Sequence, residues 1–134
     1  MQEYISRNID KELIAWKDDS MRKPLLLRGA RQVGKSSAVR HFGREFKYFA
    51  EVNFERHKAI KTFFQGDIDV HMIAQKISNY IKVPMVAGET LLFFDEIQEC
   101  PEAIMALRFF KEDYPELHVI AAGSLLEFTL EELP

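Results

Sequence analysis

Several features that would place this chain in a specialised class are scarce or absent. Its single cysteine, Cys100, cannot form a disulfide within the chain. No apolar run approaches the roughly eighteen residues of a membrane span, so the sequence predicts no membrane segment. The opening residues MQEYISRNID lack the apolar core of a secretory signal, which favours a cytoplasmic location. No dense basic block is present either, and nucleic acid is therefore not indicated as a partner.

The composition is that of an ordinary globular domain. Apolar residues make up 47% of the 134 residues and charged residues 29%, which suits a buried core beneath a charged surface. This length is enough for one domain and too short for two well-built ones. The histidines show no metal-ligand spacing, so no metal held by protein side chains alone is expected. We expect a single domain over 1–134, with an N-terminal helix in 1–20 and a core in 24–134.

The spacing of apolar residues predicts alternating helices and strands. Ile5, Ile9 and Leu13 recur at helical spacing, which predicts an amphipathic helix over about residues 2–17. Short apolar or alternating segments predict strands within 23–29, 48–54, 90–96 and 117–123. Helical patterns, one of them capped by Asp67 or Asp69, fall within 36–46, 55–64, 67–81 and 101–114. This order predicts an α/β fold in which helices cover both faces of a mostly parallel sheet.

The most suggestive polar segments follow predicted strands. GARQVGKS follows the first, the pair DE ends the third, and GS follows the fourth. In an open parallel sheet, ligands bind at the carboxyl ends of the strands. We therefore expect these three segments to meet in one site.

The first of these segments matches the pattern G-x-x-x-x-G-K-[ST] of a phosphate-binding P-loop. The residues expected to bind nucleotide are Gly29, Ala30, Arg31, Gln32, Val33, Gly34, Lys35, Ser36 and Ser37. In such a loop, backbone N–H groups and the start of the next helix surround the phosphates. Lys35 would reach the β- and γ-phosphates, and the Ser36 hydroxyl would bind Mg²⁺. The alternative is a structural turn that shares the spacing.

The strand LLFF delivers two adjacent carboxylates, Asp95 and Glu96, as a Walker B element does. Asp95 would hold Mg²⁺, and Glu96 would orient and activate a water for attack on the γ-phosphate. Taken alone, the pair could also be acidic residues where a strand reaches solvent. Neither D-x-x-G nor N-K-x-D, the guanine-reading segments, is present, so ATP is favoured over GTP.

Two further polar residues follow predicted strands, and each has two interpretations. Ser124 either senses the γ-phosphate or the attacking water, or belongs to an ordinary Gly-Ser turn. Asn53 either restrains Glu96 or serves as a turn asparagine, which is the more common role of this residue type.

The segments LLLRGARQVGKSSAVRHF, LLFFDEIQECPE and HVIAAGSLLE resemble a large prokaryotic family of AAA+-like ATPases. The resemblance spans nearly the whole chain and implies a three-layer P-loop NTPase core with an N-terminal helix. It implies that 29–37 is the phosphate loop and that Asp95 and Glu96 are the Mg²⁺-binding and catalytic carboxylates. It also favours Ser124 as a polar sensor, so that Glu96, Lys35 and Ser124 form the catalytic set.

In that family the ATPase domain is typically followed by a winged-helix segment and a C-terminal nuclease-like domain. Family members continue into a fifth core strand, a lid and arginines expected to meet the γ-phosphate, whereas this sequence ends at LEELP. We therefore expect an N-terminal fragment with about four of five core strands, whose C-terminal domain is the missing partner. It would bind ATP and Mg²⁺ with weak or no hydrolysis.

Two functions remain open from the sequence. The first is an ATPase that, at full length, hydrolyses ATP with Mg²⁺ to drive a partner domain. The second is a nucleotide-dependent switch or binding module with little turnover. The adjacent Asp95–Glu96 pair suits water activation, which disfavours a small-molecule kinase.

The predicted sheet edge also bears on association. In the family's strand order the fifth strand would lie beside PLLLR. The backbone groups of that strand would otherwise be unpaired, which invites pairing with another chain or covering by the N-terminal helix. We expect this chain to self-associate or to be poorly soluble. Light scattering across a wide concentration range checks this expectation, and a monomer throughout would contradict it.

Overall fold

The structure, a computed structural model, describes residues 2–27 and 33–123. Its helices are α1 (Gln2–Asp18), α2 (Val33–Phe42), α3 (Val70–Ile81) and α4 (Pro101–Asp113). Its strands are β1 (Leu25–Leu27), β2 (Tyr48–Asn53), β3 (Thr90–Asp95) and β4 (His118–Ala122). Short 3₁₀ helices lie at Gly43–Glu45, Lys58–Phe64 and Ile97–Glu99. Within these described ranges, no helix combines the length and apolar character needed to cross a bilayer.

The strands form one parallel sheet in the order β1-β4-β3-β2. This arrangement confirms the predicted α/β fold with a parallel sheet. Strand β1 lies at one edge of the sheet as described and pairs with β4 through Leu26 and Ala121, among others. The other edge is β2, which pairs with β3 along its whole length.

Strand β3 is buried on both faces, as its continuous apolar sequence predicts. Leu91 and Phe93 pack in a cluster with residues of α1 and α2, whereas Leu92 and Phe94 pack in a second cluster with α3 and α4. Because successive side chains of a strand point to opposite faces, an all-apolar strand requires a layer of helices on each side. The central strand therefore dictates the three-layer arrangement.

Two predicted helices differ from the structure, and for a third the structure identifies which of two predicted residues is the cap. The helix predicted over 36–46 runs Val33–Phe42 and is followed by a 3₁₀ turn at Gly43–Glu45, where Gly43 lies against the ring of Phe49. A Cβ at Gly43 would lie 2.5 Å from Phe49 Cδ1, so no larger residue fits without displacement. The helix predicted over 55–64 is the 3₁₀ helix Lys58–Phe64. The cap of α3 is Asp69, whose carboxylate accepts from the N–H of Met72.

Helix α1 packs against the sheet at the amino end of β4. Leu13 is buried, and the indole Nε1 of Trp16 donates to the carbonyl of Lys23 at 2.7 Å. The Trp16 ring meets the ring of His118 edge to face, with centroids 5.4 Å apart. This helix is therefore tied to the first residue of β4 by an aromatic contact as well as by its apolar face.

His118 is also held by two polar contacts from the α1 region. Its Nδ1 lies 3.2 Å from Nη2 of Arg22, and its Nε2 lies 3.2 Å from the carbonyl oxygen of Lys17. A guanidinium only donates, so Nδ1 accepts and the proton of the neutral ring is on Nε2. The neutral ring thus satisfies both neighbours, whereas a second proton on Nδ1 would face Arg22.

These surroundings lower the pKa of His118. Burial is the largest cause of this lowering, and the positive charges of Arg22 and Lys17 add to it. The hydrogen bond to the carbonyl of Lys17 and the charge of Asp18 raise the pKa and so oppose the lowering. The folded-state pKa thus lies below the unfolded value of about 6.5, and the unfolded chain binds the proton first as the pH falls. The stabilisation is complete above about pH 6.5 and is lost as the pH falls below it.

We predict that His118→Gln removes this part of the pH dependence. Glutamine retains a donor for Lys17 and an acceptor for Arg22 but does not titrate in this range. Urea unfolding at pH 7.5 and pH 5 measures the effect, with His41→Gln on the exposed surface of α2 as the matched control. Identical losses of stability in wild type and His118→Gln would contradict the prediction.

Candidate functional site

Because the strands are parallel, their carboxyl ends lie together at the same end of the sheet. The N–H of Gly123, just after β4, donates to the carbonyl of Leu27 at the end of β1, at 3.2 Å. Asp95, the last residue of β3, is in register with Asn53, the last residue of β2. The polar segments predicted to form a site therefore follow strands that end side by side.

Ser36 and Asp95, the two predicted metal ligands, are in contact. The Ser36 hydroxyl lies 3.2 Å from each carboxylate oxygen of Asp95, although the residues are 59 positions apart in the sequence. Ser36 belongs to the first turns of α2, and Asp95 ends the buried strand β3. The packing of α2 on the sheet thus brings a hydroxyl and a carboxylate together, as the sequence predicted.

The Asp95 carboxylate is nearly inaccessible to solvent. The residue is 5% exposed, and burial raises its pKa above the usual value. Hydrogen bonds from the N–H of Glu96, at 2.9 Å, and from Ser36 oppose this rise, while the charges of Glu96 and Glu51 add to it. A buried carboxylate costs free energy unless it is paired, so this position favours a nearby cation.

A cation near Asp95 is supplied by Arg40 of α2. Its Nη2 lies 3.4 Å from Oδ2 of Asp95 and 2.9 Å from Oε2 of Glu51 on β2. The Nε of Arg40 also donates to both Glu51 carboxylate oxygens, at 3.0 and 3.2 Å. The hydrogen bond with Glu51 is the main reason that the pKa of Arg40 is raised.

Glu96, the predicted catalytic carboxylate, has an unusual backbone conformation. Its φ of 54° and ψ of 46° lie in the left-handed region, which side chains other than glycine adopt at a cost. The side-chain Nε2 of Gln98 donates to its Oε1 at 2.7 Å. Gln98 belongs to the 3₁₀ turn Ile97–Glu99, which Ile97 anchors in the core. Glu96 is thus held by the turn that follows it.

Asn53 forms a turn and does not restrain Glu96. Its Oδ1 accepts from the N–H groups of Glu55 and Arg56, at 2.9 and 3.2 Å. Its own N–H donates to Nδ1 of His57 at 3.0 Å. Of the two interpretations of Asn53, the structure supports the turn asparagine.

Part of the predicted site lies outside the described residues. This applies to 28–32, with Gly29, Ala30, Arg31 and Gln32, and to Ser124. For Val33, Gly34 and Lys35 the structure describes the backbone, which forms the first turn of α2. Ser37 follows in the same helix and is partly buried.

Sequence reasoning missed three side chains beside the predicted residues. Arg40 contacts Asp95, Gln98 contacts Glu96, and Glu51 holds Arg40. Arg40 lies four positions after Ser36, so helical spacing places both on one face of α2. Glu51 lies two positions before Asn53 and therefore shares a strand face with it. Gln98 lies two residues after Glu96 within a tight turn. These spacings indicate that each side chain lies near a predicted residue, but which side chain it contacts depends on how the elements pack together.

The donor set at Ser36 and Asp95 fits Mg²⁺. This ion prefers oxygen ligands and is usually bound through one or two carboxylates together with water and substrate phosphates. A hydroxyl beside a carboxylate that is 5% exposed supplies such oxygens. The residues present are therefore suited to a hard divalent cation.

Comparisons with known proteins agree with this geometry. Residues 21–134 match a family model described as "AAA domain". Among solved structures, the Orc1 protein of Aeropyrum pernix, in complex with DNA, matches with a TM-score of 0.58 at 14% sequence identity. The match covers 98% of this chain and 41% of the Orc1 chain, and at this identity it shows the fold alone. No curated protein sequence matches the chain.

The family match covers most of the chain, and the parallel sheet has the P-loop NTPase architecture that the structural match shares. The resemblance described from the sequence is therefore confirmed. The chain belongs to the AAA domain family and is a P-loop ATPase domain of the AAA+ type.

Proposed function

We propose that this domain binds ATP with Mg²⁺ at the carboxyl edge of its sheet and, in the full-length protein, hydrolyses ATP to drive a partner domain. The observation that supports this best is the contact between the Ser36 hydroxyl and both oxygens of Asp95. A P-loop serine and a Walker B aspartate hold Mg²⁺ jointly in P-loop NTPases, so they must lie together.

The phosphates would be bound by 29–37. Helix α2 begins at Val33, within the matching segment, and the first N–H groups of a helix have no acceptor within the helix itself, so they suit an anion. The helix start adds a favourable partial positive charge, and Lys35 would supply a full charge at the β- and γ-phosphates. Ser124 would act as a polar sensor where the chain leaves β4.

Ser36 and Asp95 would hold Mg²⁺. When bound, this ion neutralises charge on the phosphate oxygens and orients them. Asp95 would contribute a carboxylate that the fold keeps away from bulk solvent, and Ser36 would contribute its hydroxyl. The proposed metal role thus requires only side chains already in contact.

Glu96 would act on the attacking water. Glu96 follows Asp95 directly, and its left-handed backbone ends the course of β3. A carboxylate in hydrogen-bond reach of water acts as a general base, a contribution of about 10²- to 10⁴-fold in rate. The amide of Gln98 limits the orientations of that carboxylate.

The extent of the domain is part of the proposal. We propose one domain over 1–134, in which 1–20 contributes the outer helix and 24–134 the nucleotide-binding core. A C-terminal partner domain and self-association through the β1 edge also remain proposals. Because the Orc1 likeness concerns the fold alone, we do not extend DNA binding to this chain.

Separate substitutions of Glu96, the proposed general base, and Lys35, the proposed phosphate-binding lysine, test this function in the full-length protein. We predict that Glu96→Gln binds ATP with wild-type affinity but loses about 10²-fold or more in turnover. The general base is lost, whereas the phosphate-binding segment 29–37 is unchanged. Lys35→Ala should lose ATP binding. Turnover and ATP affinity are measured separately for each variant.

Glu99→Gln is the matched control, since Glu99 is an exposed carboxylate in the same short turn. It should retain wild-type turnover. An equal loss in Glu99→Gln and Glu96→Gln would contradict the role given to Glu96. Equal and negligible turnover in wild type and all variants would favour the nucleotide-dependent switch.

The backbone at Glu96 gives a second prediction, on stability. Glu96→Gly should be more stable than Glu96→Ala by about 1 kcal/mol, because only glycine adopts the left-handed region without strain. Both variants lose the contact with Gln98, so their difference isolates the backbone. Urea unfolding measures it, and both variants should lose turnover.

Lys82, at the end of α3, has a similar φ of 64° and is the matched control for this effect. Lys82→Gly should also be more stable than Lys82→Ala, but turnover should be unchanged. At Lys76, inside α3, the order should reverse, with alanine more stable than glycine by about 1 kcal/mol. Alanine at Glu96 matching or exceeding glycine in stability would refute the strained conformation.

A further inference from the structure

We propose that the ion pair of Arg40 and Glu51 sets the affinity of the site for its divalent cation. Arg40 acts as the counter-ion of Asp95 when no metal is bound, and Glu51 draws it away when the metal binds. This inference rests on the proposed Mg²⁺ site at Ser36 and Asp95.

The geometry brings the three charged side chains onto one face of the sheet. Arg40 lies one helical turn after Ser36 on α2, and both contact Asp95. Glu51 is in register with Phe93, two residues before Asp95, so it lies on the same face of the neighbouring strand. Arg40 therefore stands above two carboxylates that belong to adjacent strands.

Arg40 is not shared equally between the two carboxylates. Three of its four hydrogen bonds go to Glu51, at 2.9 to 3.2 Å, whereas the fourth reaches Asp95 at 3.4 Å. A forked guanidinium–carboxylate pair holds the arginine firmly. Arg40 can therefore remain with Glu51 while Oδ2 of Asp95 becomes available to another cation.

The charges of the group explain why this arrangement tunes metal binding. Asp95 is 5% exposed and needs a positive partner, whether the arginine or a metal ion. Without Glu51, Arg40 would pair with Asp95 alone and oppose a metal at the same carboxylate. Without Arg40, the two carboxylates of Glu51 and Asp95 would attract a divalent cation more strongly.

Arg40 and Glu51 should therefore have opposite effects on the affinity for the divalent cation. We expect Glu51→Gln to weaken the contribution of Mg²⁺ to ATP binding and Arg40→Gln to strengthen it. The change in each direction should be about three- to tenfold, the scale of one charge a few ångströms away when water screens it, because the Arg40 side chain is 47% exposed. If the ion pair served only to stabilise the fold, both substitutions would change the contribution of Mg²⁺ to ATP binding in the same direction.

The readout is the ratio of the dissociation constants for ATP in EDTA and in saturating Mg²⁺, measured by isothermal titration calorimetry. This ratio isolates the metal's contribution, because effects of either substitution on ATP alone appear in both constants. The ratio should rise for Arg40→Gln, fall for Glu51→Gln and return towards wild type in the double variant. Arg40→Lys retains the charge and should stay closest to wild type, which guards against misfolding of the glutamine variant.

Arg108→Gln is the matched control, because Arg108 forms an exposed ion pair with Glu112 on α4, away from the site. Its ratio should equal that of wild type. Shifts in the same direction for Arg40→Gln and Glu51→Gln, or changes below twofold in both, would overturn the inference while Mg²⁺-dependent binding by wild type upheld the proposed site. A wild-type ratio of one would contradict both.

Discussion

The burial of β3 on both faces is the constraint on which the rest of this structure depends. All six residues of the strand are buried, and its side chains alternate between two apolar clusters. Helices α1 and α2 must cover one face, and α3 and α4 the other. The covering helix α2 begins in the segment predicted to bind phosphate. The packing of α2 that buries β3 thus also positions the candidate site.

The same strand ends in a charge that the fold can only partly compensate. Asp95 receives hydrogen bonds from Ser36 and from the N–H of Glu96, and a long contact from Arg40. Burial raises its pKa, and the hydrogen bonds from Ser36 and Glu96 oppose that rise only in part. A carboxylate in this condition is destabilising in the free protein and favourable once a cation arrives. Under the proposed role of Asp95 in holding Mg²⁺, stability and ligand binding are opposed at this residue.

Much of the fold followed from local patterns, because strand and helix periods are properties of short segments. The apolar run at 90–95 predicted a strand buried on both sides, and the P-loop pattern predicted that a helix would follow. The requirement for glycine at position 43 was not predicted, since it comes from the close approach of Phe49, which belongs to a different element. The segment 58–64 was predicted as helical, but its spacing did not distinguish a 3₁₀ helix from an α-helix.

The sequence predicted candidate site residues from their motifs but not the side chains that contact them. The carboxylates and the P-loop serine carry spacing signals, and the structure brings Ser36 and Asp95 into contact. Arg40, Glu51 and Gln98 carry no motif, because their roles depend on which side chain each one meets after packing. His118 illustrates the same limit: the sequence showed no ligand spacing for it, and its part in holding α1 depends on Trp16 and Arg22.

The most direct test of the central claim is the thermal unfolding of this chain with millimolar ATP and Mg²⁺, compared with the same concentration of adenosine and Mg²⁺. A cradle for phosphates and metal predicts a raised melting temperature with ATP and little change with adenosine. Ligand at 100 times its dissociation constant stabilises the folded state by about 2.7 kcal/mol, which is well within measurement. An unchanged melting temperature with ATP, or equal shifts with both compounds, would contradict the account.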